Sequence, residues 1–253
     1  MTNISTKQIF YDSPYQKTLI TQVVESIPIK DNWGIVLDAT ICYPEGGGQP
    51  GDKGTLNDQS ILNTIHYEGK ICHILETEIP KGTQIELKLD WARRLEFMQA
   101  HTAQHLTSAL ILESWNIPTI SIHFSENTTS IDIPQRNFPW KSLESLETKI
   151  NAKIMKNLSV KINWYQKENT LSQLKLRKIP KKKGKRGYRI VSINGIDDSP
   201  CGGTHVQNLG EIGLVKFLKA TNITEGSRIE YVCGFRALRD YQNKVQQINQ
   251  AMV

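Results

Sequence analysis

Short apolar runs separated by polar turns fill the start of the chain: Leu19 to Val24, Trp33 to Leu37, Ile61 to Tyr67, Ile71 to Leu75 and Ile85 to Leu89. Turn signals fall between them at Ile27-Pro28, Asn57-Asp58, Glu68-Gly69 and Lys81-Gly82, dipeptides at which a chain reverses cheaply. This spacing predicts a small β-barrel. The period changes at Asp90. From Trp91 to Trp115, Leu95, Met98, His101, His105, Ala109 and Leu112 recur at steps of three or four. That predicts a long helix with one inward stripe, ended by Asn116 and Pro118.

A strand pair, Thr119 to Phe124 and Thr129 to Ile133, is expected next, turned at Glu126-Asn127. A second helix carries Leu143, Leu146, Ile150, Ile154 and Leu158 on one side, with Ser142 as its N-cap. Strands are expected at Lys161 to Tyr165, Tyr188 to Ile193, Gly213 to Lys219 and Arg228 to Cys233, then a polar closing helix from Phe235 to Gln250. Strands and helices mix without a βαβ beat, so this part reads α+β. Two domains are expected, 1–90 and 91–253. The closing helix lacks a sustained heptad, which makes a monomer the default.

Between two early strands lies Pro44-Glu45-Gly46-Gly47-Gly48-Gln49-Pro50-Gly51-Asp52. It lacks the ending of a phosphate-binding P-loop and marks a shaped turn. The net charge is +6, and it is local. Nine cations (Lys175, Arg177, Lys178, Lys181, Lys182, Lys183, Lys185, Arg186 and Arg189) fall within one short segment with no acid among them, and the rest of the chain is net negative. Such a block neutralises phosphates or is a solvated loop. No window is apolar enough for a membrane span, and Met1 to Thr6 has no signal-peptide character, so a cytoplasmic protein is expected. The four cysteines form no CxxC.

Two of the six histidines form His101-Thr102-Ala103-Gln104-His105. At i and i+4 both rings leave one helix face. The glutamate of a HExxH protease is absent. Far along the chain, Cys201-Gly202-Gly203-Thr204-His205 offers sulfur and imidazole from a glycine-softened loop. Together they make a ligand set suited to Zn2+, and the spacing leaves three-ligand and four-ligand sites open. There is no GxSxG nucleophile elbow.

The HxxxH pair, the phrase Cys201-Gly202-Gly203-Thr204-His205-Val206 followed by Gly210-Glu211-Ile212-Gly213, and Gly46-Gly47-Gly48-Gln49-Pro50-Gly51-Asp52 together resemble the editing domain of alanyl-tRNA synthetase. In the absence of any aminoacylation domain, the chain is most similar to the freestanding editing family, the AlaX proteins, in their medium-length two-domain form. The resemblance implies a β-barrel followed by an α+β zinc-binding editing domain. It implies a zinc-dependent aminoacyl-tRNA hydrolase, a carboxylic ester hydrolase acting on mischarged Ser-tRNA(Ala) with Gly-tRNA(Ala) as a second candidate. His101, His105, Cys201 and His205 become the metal residues, with a zinc-associated water as nucleophile and no catalytic side chain assigned.

The expected substrate pocket comprises Thr102, Ser121 and His123, with Gly47, Gly48 and Gln49 shaping a cleft for the terminal nucleotides. His123 resembles a histidine of the freestanding forms. Lys181, Lys182, Lys183, Lys185 and Arg186 are expected to bind RNA, making tRNA the partner, with no DNA or membrane. Three rivals stand beside this reading: threonyl-type editing, a zinc-organised RNA-binding module without catalysis, and a metalloprotein acting on a small ester or amide.

Overall fold

The computed structural model describes residues 6–180, 183–184 and 186–252. The chain divides into two compact units, Met1–Leu95 and Glu96–Val253. The division falls inside the helix Trp91–Trp115.

In the first unit seven strands form an antiparallel sheet in the order Gln59–Ile61, Gly54–Leu56, Gln84–Leu89, Thr18–Ile29, Asn32–Leu37, Lys70–Leu75, Asn63–Tyr67, and Lys7–Gln8 pairs in parallel with Ala39–Thr40. Thr18–Ile29 changes partner along its length. Thr18 to Gln22 pair with Gln84–Leu89, and Val23 to Ile29 pair with Asn32–Leu37, with a register shift between Val23 and Glu25. Handing one long strand from neighbour to neighbour bends the sheet around a core of Val23, Ile35, Leu37, Leu56, Leu75, Ile85 and Leu87. The expected barrel is therefore seen as a curled sheet whose hydrogen-bonded order ends at Gln59–Ile61 and Asn63–Tyr67.

Three expectations shift in this unit. Ile61 to Tyr67 is two strands that separate at Leu62, and Gly54–Leu56 is an added strand. Ile27-Pro28 is not the turn. Pro28 is exposed and lies where Gln84–Leu89 no longer pairs, so its missing N–H costs no ladder bond. The glycine-rich segment makes a two-residue hairpin turn: Gly46 and Gln49 exchange both backbone hydrogen bonds (3.1 and 3.0 Å), and Gly47 and Gly48 at its tip have φ of 59° and 86°. Both values belong to the primed turn that suits strand twist. Below the turn Asp52 accepts from Tyr43 N at 2.5 Å and from the guanidinium of Arg94, which is itself fully buried and also donates to Ile41 O at 2.6 Å.

The second unit holds two antiparallel sheets. One runs Ser121–Phe124, Thr129–Ile133, Gly226–Cys233, Val215–Ile223, and the other Val160–Tyr165, Tyr188–Ile193, Asp197–Pro200. The helix Trp91–Trp115 departs from the expected single stripe, because every residue from Phe97 to Ile111 is buried. The four-stranded sheet covers one side, with Tyr231 Oη donating to Ala100 O at 3.1 Å, and the segment around Val206 covers another. Its polar side chains are therefore interior and need partners. Gln104 is buried and donates to Ser108 Oγ at 2.8 Å.

The second helix is Trp140–Met155 with Leu143, Leu146, Ile150 and Ile154 buried. Pro139, not Ser142, stands at its N-cap. Pro139 has no N–H to leave unpaired, and its carbonyl accepts from Ser142 N at 3.0 Å. In Gly234–Ala251 only the foot is buried, at Arg236 and Ala237. Leu238, Tyr241, Val245 and Ile248 are exposed at alternating steps of three and four. Among the described residues no helix is long and apolar enough to cross a membrane.

Candidate metal centre

His101 and His105 leave the same face of the long helix, their ring centroids 5.4 Å apart. The opposite half of the cluster comes from the three-stranded sheet. Tyr188–Ile193 pairs with Asp197–Pro200, and the chain leaving that strand begins with Cys201. Arg189 clamps this exit. Its carbonyl accepts from Cys201 N at 3.2 Å, and its Nη1 donates to Cys201 O at 2.5 Å. Cys201 Sγ then lies 3.3 Å from His101 Nε2 and 3.3 Å from His205 Nε2, and Gly203 N donates to the sulfur at 3.3 Å. The ligand atoms of His101, His105, Cys201 and His205 all lie within 4.8 Å of one another.

A tetrahedral zinc with Zn–N of about 2.0–2.1 Å and Zn–S of about 2.3 Å sets its ligands roughly 3.3–3.6 Å apart. The two sulfur–nitrogen separations match that spacing. The donor set of three imidazoles and one thiolate also matches the metal's chemistry. Burial works against ionising the Cys201 thiol, but the neighbouring imidazoles of His101 and His205, with hydrogen bonds from His101 and His105, outweigh it and hold the thiol well below its usual range. His205 is pushed down to about 3 by burial and by His101, against the pull of Cys201, which keeps its ring neutral.

The ring orientations follow from what lies behind them. The Thr102 hydroxyl donates to Met98 O at 2.8 Å, so its proton is spent. Its oxygen, 3.1 Å from His205 Nδ1, must accept from that nitrogen, and it also accepts from Val206 N at 3.2 Å. His205 therefore carries its proton on Nδ1 and turns the Nε2 lone pair toward the cluster. Behind His105, Asp197 Oδ2 lies 3.3 Å from Nδ1, close but off the line of a well-formed hydrogen bond. Asp197 is gripped by Arg177, Nε to Oδ1 at 2.9 Å and Nη2 to Oδ2 at 3.2 Å. Burial alone would raise the Asp197 carboxyl, yet His105 and Arg177 together hold it below the usual carboxylate range. Burial lowers His105, and Asp197 with Cys201 more than reverses this, leaving it raised.

The pocket residues expected from sequence fall in two different places. Thr102 is fully buried and its hydroxyl is committed to the framework, so it orients His205. Ser121 and His123 lie apart from Thr102. Successive residues of a strand point to opposite faces. Phe124 stacks near His101, centroids 4.9 Å apart, so Ser121 and His123 project from the other face of that sheet. There His123 Nε2 meets Ser121 Oγ at 3.0 Å, Asp132 Oδ2 at 3.0 Å and Arg228 Nη2 at 2.9 Å. The alternation of Ile122 and Phe124 with Ser121 and His123 carried this signal already. Of the turn residues, Gly47 and Gly48 are exposed and Gln49 is buried.

Two members of the basic block, Arg177 and Arg189, turn inward to the centre, which the sequence reading missed along with Asp197. Lys183 and Arg186 are exposed, and the Arg186 guanidinium lies 4.7 Å from the Trp164 ring centroid. Lys181, Lys182 and Lys185 lie outside the described residues.

Comparison with known proteins converges on one group. Residues 188–230, which carry the Cys201 to His205 loop, match the family described as the threonyl and alanyl tRNA synthetase second additional domain. Residues 3–93 match the class II (A) tRNA synthetases. The alanyl-tRNA editing protein AlaX-L of Pyrococcus horikoshii is 39% identical over 251 residues, covering 93% of this chain and 61% of that protein. AlaX-M of the same organism is 30% identical over 231 residues, covering 88% of this chain and 95% of the relative. The alanyl-tRNA editing protein Aarsd1 of Mus musculus is 30% identical over 207 residues, or 81% of this chain and 50% of that protein. The chain thus spans nearly the whole of one relative and between a half and two thirds of the other two.

Proposed function

We propose that this chain, which belongs to the family of alanyl-tRNA editing proteins, is a trans-acting zinc-dependent deacylase that hydrolyses mischarged Ser-tRNA(Ala), with Gly-tRNA(Ala) as a second substrate. The observation that carries the reading is the convergence of His101, His105, Cys201 and His205 on one point. When bound there, zinc supplies Lewis acidity, which polarises an ester carbonyl or acidifies water. The chain's own residues do the rest. His101 and His105 are held on a helix buried on all sides, Arg189 fixes the backbone of Cys201, and Thr102 fixes the ring of His205. The Cys201 sulfur faces two imidazoles as a ligand, so water rather than the thiol is the nucleophile. Lys183 and Arg186, with their neighbours in the basic segment, contact tRNA phosphates without reading sequence. The exposed backbone of Gly47 and Gly48 is proposed to meet the RNA end. The reading places the protein with the translation machinery in the cytoplasm.

The test is release of serine, glycine, alanine and threonine from their charged tRNAs, measured beside RNA binding and zinc content. Serine release from tRNA(Ala) is expected, and its loss in Cys201→Ala with fold retained. Serine released from tRNA(Thr) instead would move the protein to threonyl-type editing. Zinc and RNA bound without any ester hydrolysis would leave a binding module.

A further inference from the structure

We propose that Asp197 is the positioning residue that fixes the ligating tautomer of His105, and that Arg177 holds Asp197 to that task. The proposal rests on the reading above that the cluster binds zinc. His105 can offer Nε2 to a metal only if its proton sits on Nδ1. Nδ1 lies 3.3 Å from Asp197 Oδ2, both groups being buried. An ionised carboxylate only accepts hydrogen bonds, so it selects the Nδ1–H form. Arg177 sits on the far side of the carboxylate with two contacts, Nε to Oδ1 at 2.9 Å and Nη2 to Oδ2 at 3.2 Å. A guanidinium only donates, so it fixes the plane of Asp197 and excludes the protonated acid. The order is Arg177, Asp197, His105, metal.

The same arginine ties the basic segment to this order. Leu176 bridges Asp198, and Arg177 N donates to Asp198 O at 3.0 Å. The strand so engaged, Asp197–Pro200, is the one that delivers Cys201. One residue of a segment rich in phosphate-seeking cations thus spends its charge on the metal centre.

Asp197→Asn gives a discriminating test because of Arg177. The amide must place its nitrogen against one arginine donor. The Nη2 contact at 3.2 Å is looser than the Nε contact at 2.9 Å, so the nitrogen takes the Oδ2 position. There it donates to His105 Nδ1 and drives the proton to Nε2, the tautomer that cannot ligate. With Arg177→Met added, the amide is free to turn its oxygen back to His105.

The experiment measures zinc affinity of the full chain by competition with a chromophoric chelator, alongside zinc stoichiometry. Asp197→Asn is expected to weaken zinc about 10–100-fold, the usual consequence of losing such a partner. Arg177→Met with Asp197→Asn is expected to bind more tightly than Asp197→Asn alone, a rescue that loss of packing would not produce. Imidazole 15N spectra of the zinc-loaded wild type supply a reading independent of any variant, and His105 is expected to be protonated at Nδ1. An Asp197→Asn affinity within about twofold of wild type, a double variant no tighter than the single, or a His105 protonated at Nε2 would overturn the proposal. A wild type that binds no zinc would overturn the zinc reading and this proposal with it. Zinc bound normally by every variant would overturn this proposal alone.

Discussion

Thr102 uses both faces of its hydroxyl, donating to Met98 O while accepting from His205 Nδ1 and Val206 N. Thr102→Val keeps the shape and removes the acceptor, leaving two buried donors unpaired. Each unmet group costs about 1–3 kcal/mol. The variant should unfold earlier and hold zinc less tightly, whereas Thr102→Ser should stay near wild type in chelator competition. His73 sets a different balance in the first unit. Its Nδ1 donates to Ile35 O at 2.9 Å, its Nε2 lies 2.8 Å from Thr40 Oγ1, and burial pushes its pKa down to about 4. The unfolded chain, with an ordinary value near 6.5, binds the proton more tightly. The neutral ring therefore contributes full stability above pH 6.5, and that contribution is lost as pH falls toward 4, by about 3 kcal/mol in all. Urea titrations at pH 7.5 and pH 5 should show a smaller acid penalty in His73→Gln than in wild type. At this scale the cluster of His101, His105, Cys201 and His205 was legible, because residue type and spacing are local facts. Asp197 and Arg177 were not. A carboxylate that meets His105 across 92 residues of sequence has no local signature, and charge along a segment does not say which cations turn inward.

Among elements, the strands and helices with strong alternation or period were readable nearly to their ends, and the helix Trp91–Trp115 to both of them. Its surroundings were not readable. Layers on several sides bury residues that a lone amphipathic helix would expose, so a single stripe was expected where none exists. Gly54–Leu56 is three residues long, too short for any period to show. The glycine-rich segment contains two unlike reasons for glycine. At Gly47 an added Cβ meets nothing within 4 Å, and the demand is the positive φ alone. At Gly51 the same atom would run into Thr64 O, a backbone atom that cannot swing aside. Gly47→Ala should therefore cost about 1–2 kcal/mol. Gly51→Ala should cost more, about 3 kcal/mol or beyond, as the strand carrying Thr64 shifts. Denaturant midpoints of the two variants give the comparison.

Across the whole molecule, the division of a positive block from an otherwise acidic chain was legible from composition. Its use was only partly so, since Arg177 and Arg189 are structural. Replacing Lys182, Lys183, Lys185 and Arg186 with Ala should weaken tRNA binding and lower the log–log salt slope by about 3, near 0.7–0.9 for each phosphate no longer neutralised. Unchanged binding through a salt titration would remove these residues from the RNA interface. Zinc content should be unaffected, unlike that of Arg177 variants. The closing helix carries a last consequence. It starts at Gly234 with φ of 57°, where an added Cβ would strike the Gln99 side-chain amide, and only Arg236 and Ala237 near that foot are buried. In a saturation library scored for abundance, tolerance along this stretch should run as a gradient: almost nothing accepted at 234, and broad acceptance from Asn243 onward.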